Sequence, residues 1–352
     1  METTNPVHRR RPRYKGTHPT KFSEKYKELN PEKYAGTAEH VIEKGGTPAG
    51  MHIPICVKEI LDFFQIQPGQ VGLDTTLGYG GHTLEMLKCL KGQGHIYGLD
   101  VDPIESAKTR DRLARQGYGP EILTVIHTNF ANLDQVAREH GPFQFILADL
   151  GVSSMQIDNP ERGFSYKFDG PLDLRLDPER GITAAERLRE LDEEELEGML
   201  AENADEPYGA EIAAAVTAAF RRGEKIETTL ELRRVIEKAL EFLPAGERKQ
   251  AVKKSCQRTF QALRIDVNSE FEVLYAFLEK LPDALAEGGR AAILTFHSGE
   301  DRLVKKSFRD LHRAGVYRAV STAVSYTHLL LPETVHSNRL DRWRVPQSFP
   351  AG

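Results

Sequence analysis

An alternation of short apolar segments with longer helical patterns runs along residues 57–151 and constrains the fold more than any other feature. Such alternation is typical of βαβ units around a parallel sheet. Short apolar strands are also expected where helices cover both faces of the sheet. We therefore predict an α/β fold with a doubly wound, Rossmann-like sheet. Its first four strands are predicted at QVGLDTT (70–76), HIYGLDVD (95–102), ILTVIHTNF (122–130) and FQFILADLG (143–151).

The alternation breaks after the fourth predicted strand. Residues 157–181 are rich in Gly, Pro and Asp, and residues 183–241 predict several helices rich in Ala, Glu and Leu. The sheet pattern resumes with a helix over 267–285, a turn at 287–289 and a strand over 290–298. The sequence therefore predicts a sheet domain interrupted by a helical insertion. The predicted parts are a polar, basic extension (1–48), the sheet domain (49–156 and 266–316), an inserted loop and helical domain (157–265) and a tail (317–352).

Composition excludes several classes of protein. The 352 residues are 39% hydrophobic and 28% charged, which is typical of a globular protein. No apolar run is long enough to cross a bilayer, and no apolar segment follows the basic N-terminus as in a secretion signal. Cys56, Cys89 and Cys256 form no CxxC pair, so we expect neither a disulfide framework nor a metal site. A cytoplasmic protein is expected.

Charge is unevenly distributed around a net value of −5. Residues 8–16, 246–264 and 302–313 are basic, whereas residues 188–209 are strongly acidic. Each basic segment alone is compatible with a solvated face. Three of them in an acidic chain favour a localised phosphate-binding surface.

A glycine loop separates the first predicted strand from the next helix. Gly78, Gly80 and Gly81 let backbone N–H groups approach a ligand at a helix N-terminus. Asp100 ends the second predicted strand, where its carboxylate can accept hydrogen bonds from the hydroxyls of a ribose. The alternative is a tight βα turn that binds nothing.

Two nucleotide-like ligands compete for this loop. A nicotinamide dinucleotide needs a second mononucleotide-binding half, but the helical insertion occupies that place and no second glycine loop follows a strand. S-adenosylmethionine needs only one such half. The one-sided layout favours S-adenosylmethionine.

Asp149 ends the fourth predicted strand, at the edge where reacting groups gather in α/β sheets. The lone pair of an exocyclic amino group is delocalised into its base. An acceptor that takes one N–H hydrogen bond helps to localise this lone pair toward a methyl donor and can then take the proton. We predict this catalytic role for Asp149; the alternative is a helix cap or a loop anchor.

The loop over 157–181 places aromatic side chains among cations. This pattern suits an extruded base with phosphates held alongside, and long loops inside compact domains are usually functional. The alternative is an ordered loop packed by its own aromatic rings. The residues concerned are Phe164, Tyr166, Phe168, Arg162, Lys167 and Arg175.

Four segments resemble the bacterial small-subunit (16S) ribosomal RNA cytosine-N4 methyltransferases of the MraW/RsmH type. They are GLDTTLGYGGHT (72–83), DLGVSSMQIDNPERGFSYKFDGPLDLRLDPERG (149–181), RTFQALRIDVNSE (258–270) and TFHSGEDRLVKKSF (295–308). The resemblance implies a class I S-adenosylmethionine-dependent methyltransferase domain with an inserted helical domain. It also implies methyl transfer to N4 of a cytosine in the decoding region of small-subunit ribosomal RNA.

The resemblance carries site residues to this chain. Together with the glycine loop, the implied cofactor contacts are Gly78, Gly80, Gly81, His82, Asp100, Phe130, Asp149 and Gln156. His82 is expected to orient the backbone or the cofactor rather than to shuttle protons. Expected substrate contacts are Arg162 and Phe164 in the loop, Arg258, Arg264, Lys305 and Lys306 on phosphates, and His297 and Ser298 at the late strand.

The chain also departs from that family. Gly299 stands where members usually carry a larger apolar residue, so we expect a looser turn there. Residues 1–48 extend beyond ordinary members, and residues 317–352 lack the usual terminal pattern. Alternatives therefore stay open: the same chemistry on another RNA or on DNA, or a non-catalytic ribosome-assembly factor. The expected partner is the small ribosomal subunit or its RNA, with no membrane, and a homodimer is left open.

Overall fold

A computed structural model describes residues 54–321. Its centre is a five-stranded sheet in the order β3-β2-β1-β4-β5, in which every neighbouring pair is parallel. The predicted α/β fold is confirmed. The strands are β1 (Val71–Asp74), β2 (His95–Asp100), β3 (Leu123–His127), β4 (Phe143–Asp149) and β5 (Leu285–Leu294).

Helices flank this sheet and bury its apolar residues. One hydrophobic cluster joins Ile60 and Phe64 to Leu87, Ile96 and Phe145. Local capping explains where individual helices start: Asp102 accepts hydrogen bonds from the N–H groups of Ile104 and Glu105 and is followed by proline. The helices are α1 (Val57–Phe64), α2 (Gly81–Leu90), α3 (Pro103–Arg115), α4 (Leu133–His140), α11 (Glu270–Ala284) and α12 (Ser298–Arg313), with a 3₁₀ turn at Phe130–Asn132.

The order of the strands decides where a ligand can bind. The chain moves outward from β1 to β2 and β3, and then returns to place β4 on the other side of β1. Ligands of open parallel sheets bind at such a reversal, beyond the carboxyl ends of the strands. Asp74 and Asp149 are the last residues of β1 and β4, so both lie at this point.

The insertion is helical and has its own apolar core. The buried members of this second cluster lie between Phe164 and Leu263 in the chain. Capping boxes of Thr183 with Glu186 and of Thr228 with Glu231 mark two helix starts that the sequence already signals. The predicted domain boundaries stay predictions. The helices are α5 (Ser154–Asp158), α6 (Ala184–Glu190), α7 (Glu193–Ala204), α8 (Gly209–Arg221), α9 (Thr229–Ala239) and α10 (Ala245–Val267), with a 3₁₀ turn at Pro160–Arg162.

Strand β5 differs from its prediction. The predicted turn at 287–289 lies inside the strand as a bulge, because Phe143 pairs with Leu285 whereas Phe145 pairs with Arg290. The strand also ends at Leu294 rather than at residue 298. Residues 295–297 therefore form a connection to α12, not part of the sheet.

A second, small unit begins at Phe308. In it the rings of Phe308 and Tyr317 pack edge to face with centroids 5.4 Å apart. The predicted extension (1–48) and most of the predicted tail lie outside the described residues. In the part of the chain that is described, no helix combines the length and apolar character needed to cross a membrane.

Candidate functional site

Two carboxylates close the central strands, and Thr76 connects them. The backbone N–H of Asp149 donates to Oγ1 of Thr76 (2.6 Å), and the N–H of Thr76 donates to Oδ1 of Asp74 (3.1 Å). Asp74 is buried and also accepts from the hydroxyl of Thr83 on α2 (2.6 Å). Asp74 therefore holds the end of β1 to the start of α2.

The glycine loop combines a packed side with an open side. Gly78 and Gly80 both have positive φ angles, 48° and 66°, which L side chains rarely adopt. A Cβ at Gly80 would lie 2.8 Å from Cγ2 of Thr109 on α3, whereas a Cβ at Gly78 would meet only a backbone oxygen at 3.8 Å. Gly80 is thus required by packing and Gly78 leaves room for a ligand. Gly81 begins α2.

Asp100 supports this loop from the end of β2. Its Oδ2 accepts the N–H of Gly78 (2.6 Å) and its Oδ1 accepts the N–H of Asp102 (2.8 Å). Burial raises the pKa of this carboxyl from 3.8 to about 6. Each carboxylate oxygen has a second lone pair, so both can still accept a hydroxyl of a ribose.

Asp149 has an acceptor atom to spare. Among residues 54–321, its buried Oδ1 has no hydrogen-bond partner. Burial raises the pKa of Asp149 from 3.8 to about 6; Asp74 and Glu300 raise it further, and His82 lowers it. An unsatisfied buried acceptor is costly unless a ligand satisfies it. This atom is suited to an N–H group of a substrate.

His82 lies between the backbone and Asp149. Its Nε2 is 2.8 Å from the carbonyl oxygen of Ile55, which can only accept, so Nε2 carries a hydrogen. Its Nδ1 lies 3.5 Å from Oδ2 of Asp149. His82 therefore contacts both the backbone at Ile55 and the carboxylate of Asp149, and its contact with the cofactor stays a prediction.

Phe130 and Gln156 were predicted to contact the cofactor. Phe130 follows β3 at the same edge as Asp100, and its ring packs edge to face on Phe277 at 5.2 Å. Oε1 of Gln156 accepts the N–H of Ser153 (2.9 Å) in a capping box, so this side chain already has a structural role. Both cofactor contacts stay predictions.

The structure places Arg162 and Phe164 away from the role that the sequence suggested. Phe164 is only 8% exposed and belongs to the core of the insertion, so it offers no open ring face to a base. Nη1 of Arg162 lies 2.5 Å from Oδ2 of the buried Asp102, and its Nη2 donates to the carbonyl oxygens of Arg175 and Leu176. Arg162 anchors the loop to the sheet domain, which fits the alternative of an ordered, self-packed loop.

Arg264 and His297 are likewise buried in an internal network. Arg264 pairs with both carboxylate oxygens of Glu270, at 2.7 and 2.8 Å. Nε2 of His297 lies 3.2 Å from Oε1 of Glu300, which is 3% exposed. Arg264 is thus paired internally, whereas Nε2 of His297 forms no hydrogen bond within the described residues. The phosphate contact of Arg264 and the substrate contact of His297 stay predictions.

This network has the residue types of a metal site. Ligand atoms of Glu270, His297 and Glu300 lie within 4.8 Å of one another. The guanidinium of Arg264 already supplies the positive charge next to Glu270. The arrangement is better explained as a cluster of internal ion pairs than as a cation site.

The other predicted RNA contacts remain accessible to different degrees. Arg258 on α10 is half-buried, Lys305 pairs with Asp301 at 2.7 Å, and Lys306 is exposed. Ser298 is exposed at the first residue of α12. A basic cleft of about 600 Å³ opens on the insertion, lined by the cations of Lys167, Arg233, Arg248, Lys249 and Lys253 beside Tyr166, Glu237 and Glu241.

Sequence reasoning missed Phe296. Its ring is 58% exposed and lies beside Gly151, just beyond the end of β4. The sequence placed it inside a longer strand, where alternation gives no reason to single it out. Only the end of β5 at Leu294 shows that Phe296 lies outside the sheet.

Gly299 does not loosen its turn. A Cβ at this position would lie 2.6 Å from Cζ of Phe271 and 3.2 Å from Nδ1 of His297. The ring of Phe271 occupies the space that a larger side chain would need. The expected looseness is therefore wrong.

The reversal point, the open Gly78, the two acceptors of Asp100 and the free oxygen of Asp149 fit S-adenosylmethionine. The fold and this site define an S-adenosylmethionine-dependent methyltransferase. A family model described as the MraW methylase family matches residues 49–328, and the chain belongs to that family.

Similar proteins carry consistent names. A "Ribosomal RNA small subunit methyltransferase H 1" of Lachnoclostridium phytofermentans is 65% identical over 97% of this chain and 92% of its own length. A "Ribosomal RNA small subunit methyltransferase H 2" of Alkaliphilus metalliredigens is 60% identical over 98% of this chain and 97% of its own. A solved SAM-dependent O-methyltransferase of Thermotoga maritima is 12% identical, covers 32% of this chain and 40% of its own, and has a TM-score of 0.25.

The extent of the alignments shows which relatives share the segments at the two ends of this chain. An alignment over 97–98% of the chain takes in most of residues 1–48 and 317–352. Relatives that are 38–40% identical align over only 73–76% of the chain. The more similar relatives therefore share most of residues 1–48 and 317–352 with this chain.

Proposed function

We propose that this protein transfers a methyl group from S-adenosylmethionine to N4 of a cytosine in the decoding region of small-subunit ribosomal RNA. The observation that carries the proposal is the buried Oδ1 of Asp149, which has no hydrogen-bond partner within residues 54–321. It lies at the sheet's reversal point, beside the open glycine loop. The names of the similar proteins support ribosomal RNA of the small subunit as the substrate class. Such a substrate places the enzyme in the cytoplasm.

Asp149 performs the chemical role in this proposal. S-adenosylmethionine, when bound, supplies an electrophilic methyl group. The carboxylate oxygen of Asp149 accepts one N4–H hydrogen bond, which draws the lone pair of N4 out of conjugation with the ring. Transfer of the methyl group from sulfur to N4 would leave an extra proton on N4, and the carboxylate of Asp149 would accept this proton. His82 holds Oδ2 from the other side, so Oδ1 stays available.

The basic cleft on the insertion supports an RNA partner. Lys249 and Lys253 lie one helical turn apart on α10, and Lys167 lines the same cleft from the loop. Phosphates of a folded RNA suit such a group of cations because neutralising them releases counterions. An assembled small subunit supplies most of the shape, which agrees with a chain whose net charge is negative.

Labelled S-adenosylmethionine tests the proposal when it is incubated with the protein and with small subunits that lack the mark. Digestion to nucleosides should show N4-methylcytidine, and labelled nuclease fragments should place it at one position. Label only on other RNA or on DNA would favour the same chemistry on another substrate. Stoichiometric binding without label would favour an assembly factor.

As a matched control, Asp149→Asn should bind the cofactor with affinity within about tenfold of the wild type and lose at least about 100-fold in turnover.

A further inference from the structure

The segments that leave β4 and β5 run side by side at the site. Asp149 pairs with Leu294 in the parallel register, and the N–H of Leu150 donates to the carbonyl oxygen of Leu294 (3.1 Å). Two residues beyond this pair, Gly151 and Phe296 therefore become neighbours. A Cβ at Gly151 would lie 3.6 Å from Cδ2 of Phe296, which is ordinary van der Waals contact.

Gly151 leaves one side of this ring uncovered. Its φ angle is 89°, a conformation that L side chains rarely adopt, so the position excludes larger residues. The ring of Phe296 remains 58% exposed although the acid two residues before Gly151 is largely buried. A single exposed aromatic residue is unremarkable by itself. Its position beside the reacting acid is what distinguishes this one.

The backbone at Phe296 is held by Glu300 of α12. Its N–H donates to Oε2 of Glu300 (2.8 Å), and Glu300 is 3% exposed. The other carboxylate oxygen of Glu300 lies 3.2 Å from Nε2 of His297. Because this hydrogen bond fixes the backbone at Phe296, only the side-chain torsions remain to be ordered when a ligand binds to the ring.

We propose that Phe296 is the platform on which the target pyrimidine stacks while its N4 group meets Asp149. This inference rests on the proposed function, because it assumes an extruded cytosine as the substrate. A base that has left its helix loses stacking with its neighbours, and an aromatic side chain restores part of that energy. The ring adjoins the acid, so one base can contact both groups.

The other aromatic residues that the sequence suggested fit this role less well. Phe164 is buried in the insertion, and the half-buried Tyr166 packs edge to face on Phe260 at 5.9 Å. Phe168 is exposed but lies on the insertion loop, where its carbonyl accepts from Thr229 of α9. Phe296 is held at the end of the sheet instead.

Steady-state methylation of unmarked small subunits tests the platform, with Phe296 replaced by Ala, Leu, Tyr or Trp. Loss of stacking should lower kcat/KM for subunits about 5- to 150-fold in the Ala and Leu variants. Tyr and Trp should keep it within about threefold because they retain an aromatic face. Calorimetric affinity for S-adenosylmethionine should be unchanged in all four.

Phe63→Ala is the matched control. Phe63 is 43% exposed, and its carbonyl accepts from Arg290 of β5, which pairs with Phe145, four residues before Asp149 in β4. The variant should therefore leave kcat/KM unchanged. An active wild type with an equally active Ala variant would overturn the platform, as would a Leu variant that matches Tyr. A parallel loss of cofactor affinity would also overturn it. A wild type that places no methyl group on cytosine N4 would instead overturn the proposed function.

Discussion

The Nδ1 atom of His82 lies 3.5 Å from Oδ2 of Asp149, while Nε2 of the same ring donates to the carbonyl oxygen of Ile55. This fixes the ring, so Nδ1 is the atom that faces the acid. The histidine thereby favours the ionised form of a carboxylate that burial pushes toward the neutral form.

Activity should depend on the ionisation of Asp149. Its pKa is raised to about 6, so kcat/KM should rise with pH through about 6 and fall about tenfold per unit below it. His82→Gln should move this acid limb to higher pH, because the charge of His82 lowers the pKa of Asp149 whereas Asp74 and Glu300 raise it. Profiles of kcat/KM between pH 5 and 8 measure the shift. An acid limb that does not move would show that His82 does not affect the pKa of Asp149.

Asp149→Asn should stabilise the cofactor-free protein while it abolishes turnover. A carboxyl whose folded pKa lies above its unfolded value loses stability as pH rises from about 4 to about 6. At pH 7.5 the Asn variant should therefore be more stable by about 2 kcal/mol, allowing for partial exposure of the acid. The gain should vanish near pH 4. Urea denaturation at both pH values measures it, and an equal gain at both would point to another cause.

Removal of Arg162 should destabilise the fold strongly. Asp102 is 1% exposed, and Arg162→Ala leaves its buried charge without a counter-charge, with only the N–H groups of Ile104 and Glu105 as partners from the helix cap. Such a loss costs about 3–5 kcal/mol. Lys88→Ala removes an exposed pair with Glu85 and should change the free energy of unfolding by less than about 0.5 kcal/mol. Chemical denaturation compares the two. Similar small losses would show that the loop is not anchored by this pair.

Gly299→Leu should be destabilising by about 1–3 kcal/mol, because the ring of Phe271 occupies the space that the new side chain requires. Phe271→Ala in the same chain should recover much of that loss, since it vacates the same volume. A double-mutant cycle of unfolding free energies measures the coupling. Additive effects would contradict direct competition for space.

Lys306→Ala should weaken binding to small subunits whatever the sequence of their RNA, because the lysine is expected to contact a phosphate. The loss of one phosphate contact should reduce the slope of log affinity against log salt by about 0.7–0.9. Lys58→Ala is the control, because Lys58 is an exposed lysine of α1 that pairs with Asp62. Filter binding across salt concentrations provides the slopes. An unchanged slope for Lys306→Ala would remove it from the interface.

Local signals account for the parts of the fold that the sequence predicted well. The first four strands are apolar runs followed by turns, and α3 starts where Asp102 caps a helix that opens with proline. Asp100 and the glycine loop were predicted because their spacing alone suits a nucleotide. The predicted strand over 290–298 was wrong at its end, since pairing with β4 stops at Leu294.

Some side chains look alike in the sequence, and only the tertiary structure shows that their contacts differ. Arg162 and Arg264 looked like phosphate contacts, yet their partners are carboxylates that the sequence pattern did not connect to them. Asp102 lies 60 residues before Arg162, so no local pattern indicates that pair. Phe164 and Phe296 are both phenylalanines beside polar residues, and only packing decides that the first is buried and the second exposed.

The sequence by itself determined the alternation of strands and helices, the glycine turn and the two acids that follow strands, because each depends on neighbours within a few residues. The tertiary structure decided which charges are neutralised internally and which ring meets solvent beside Asp149. It also decided that Oδ1 of Asp149 has no hydrogen-bond partner in the described part of the chain. These properties depend on burial and on contacts between distant segments, and both exist only once the chain has folded.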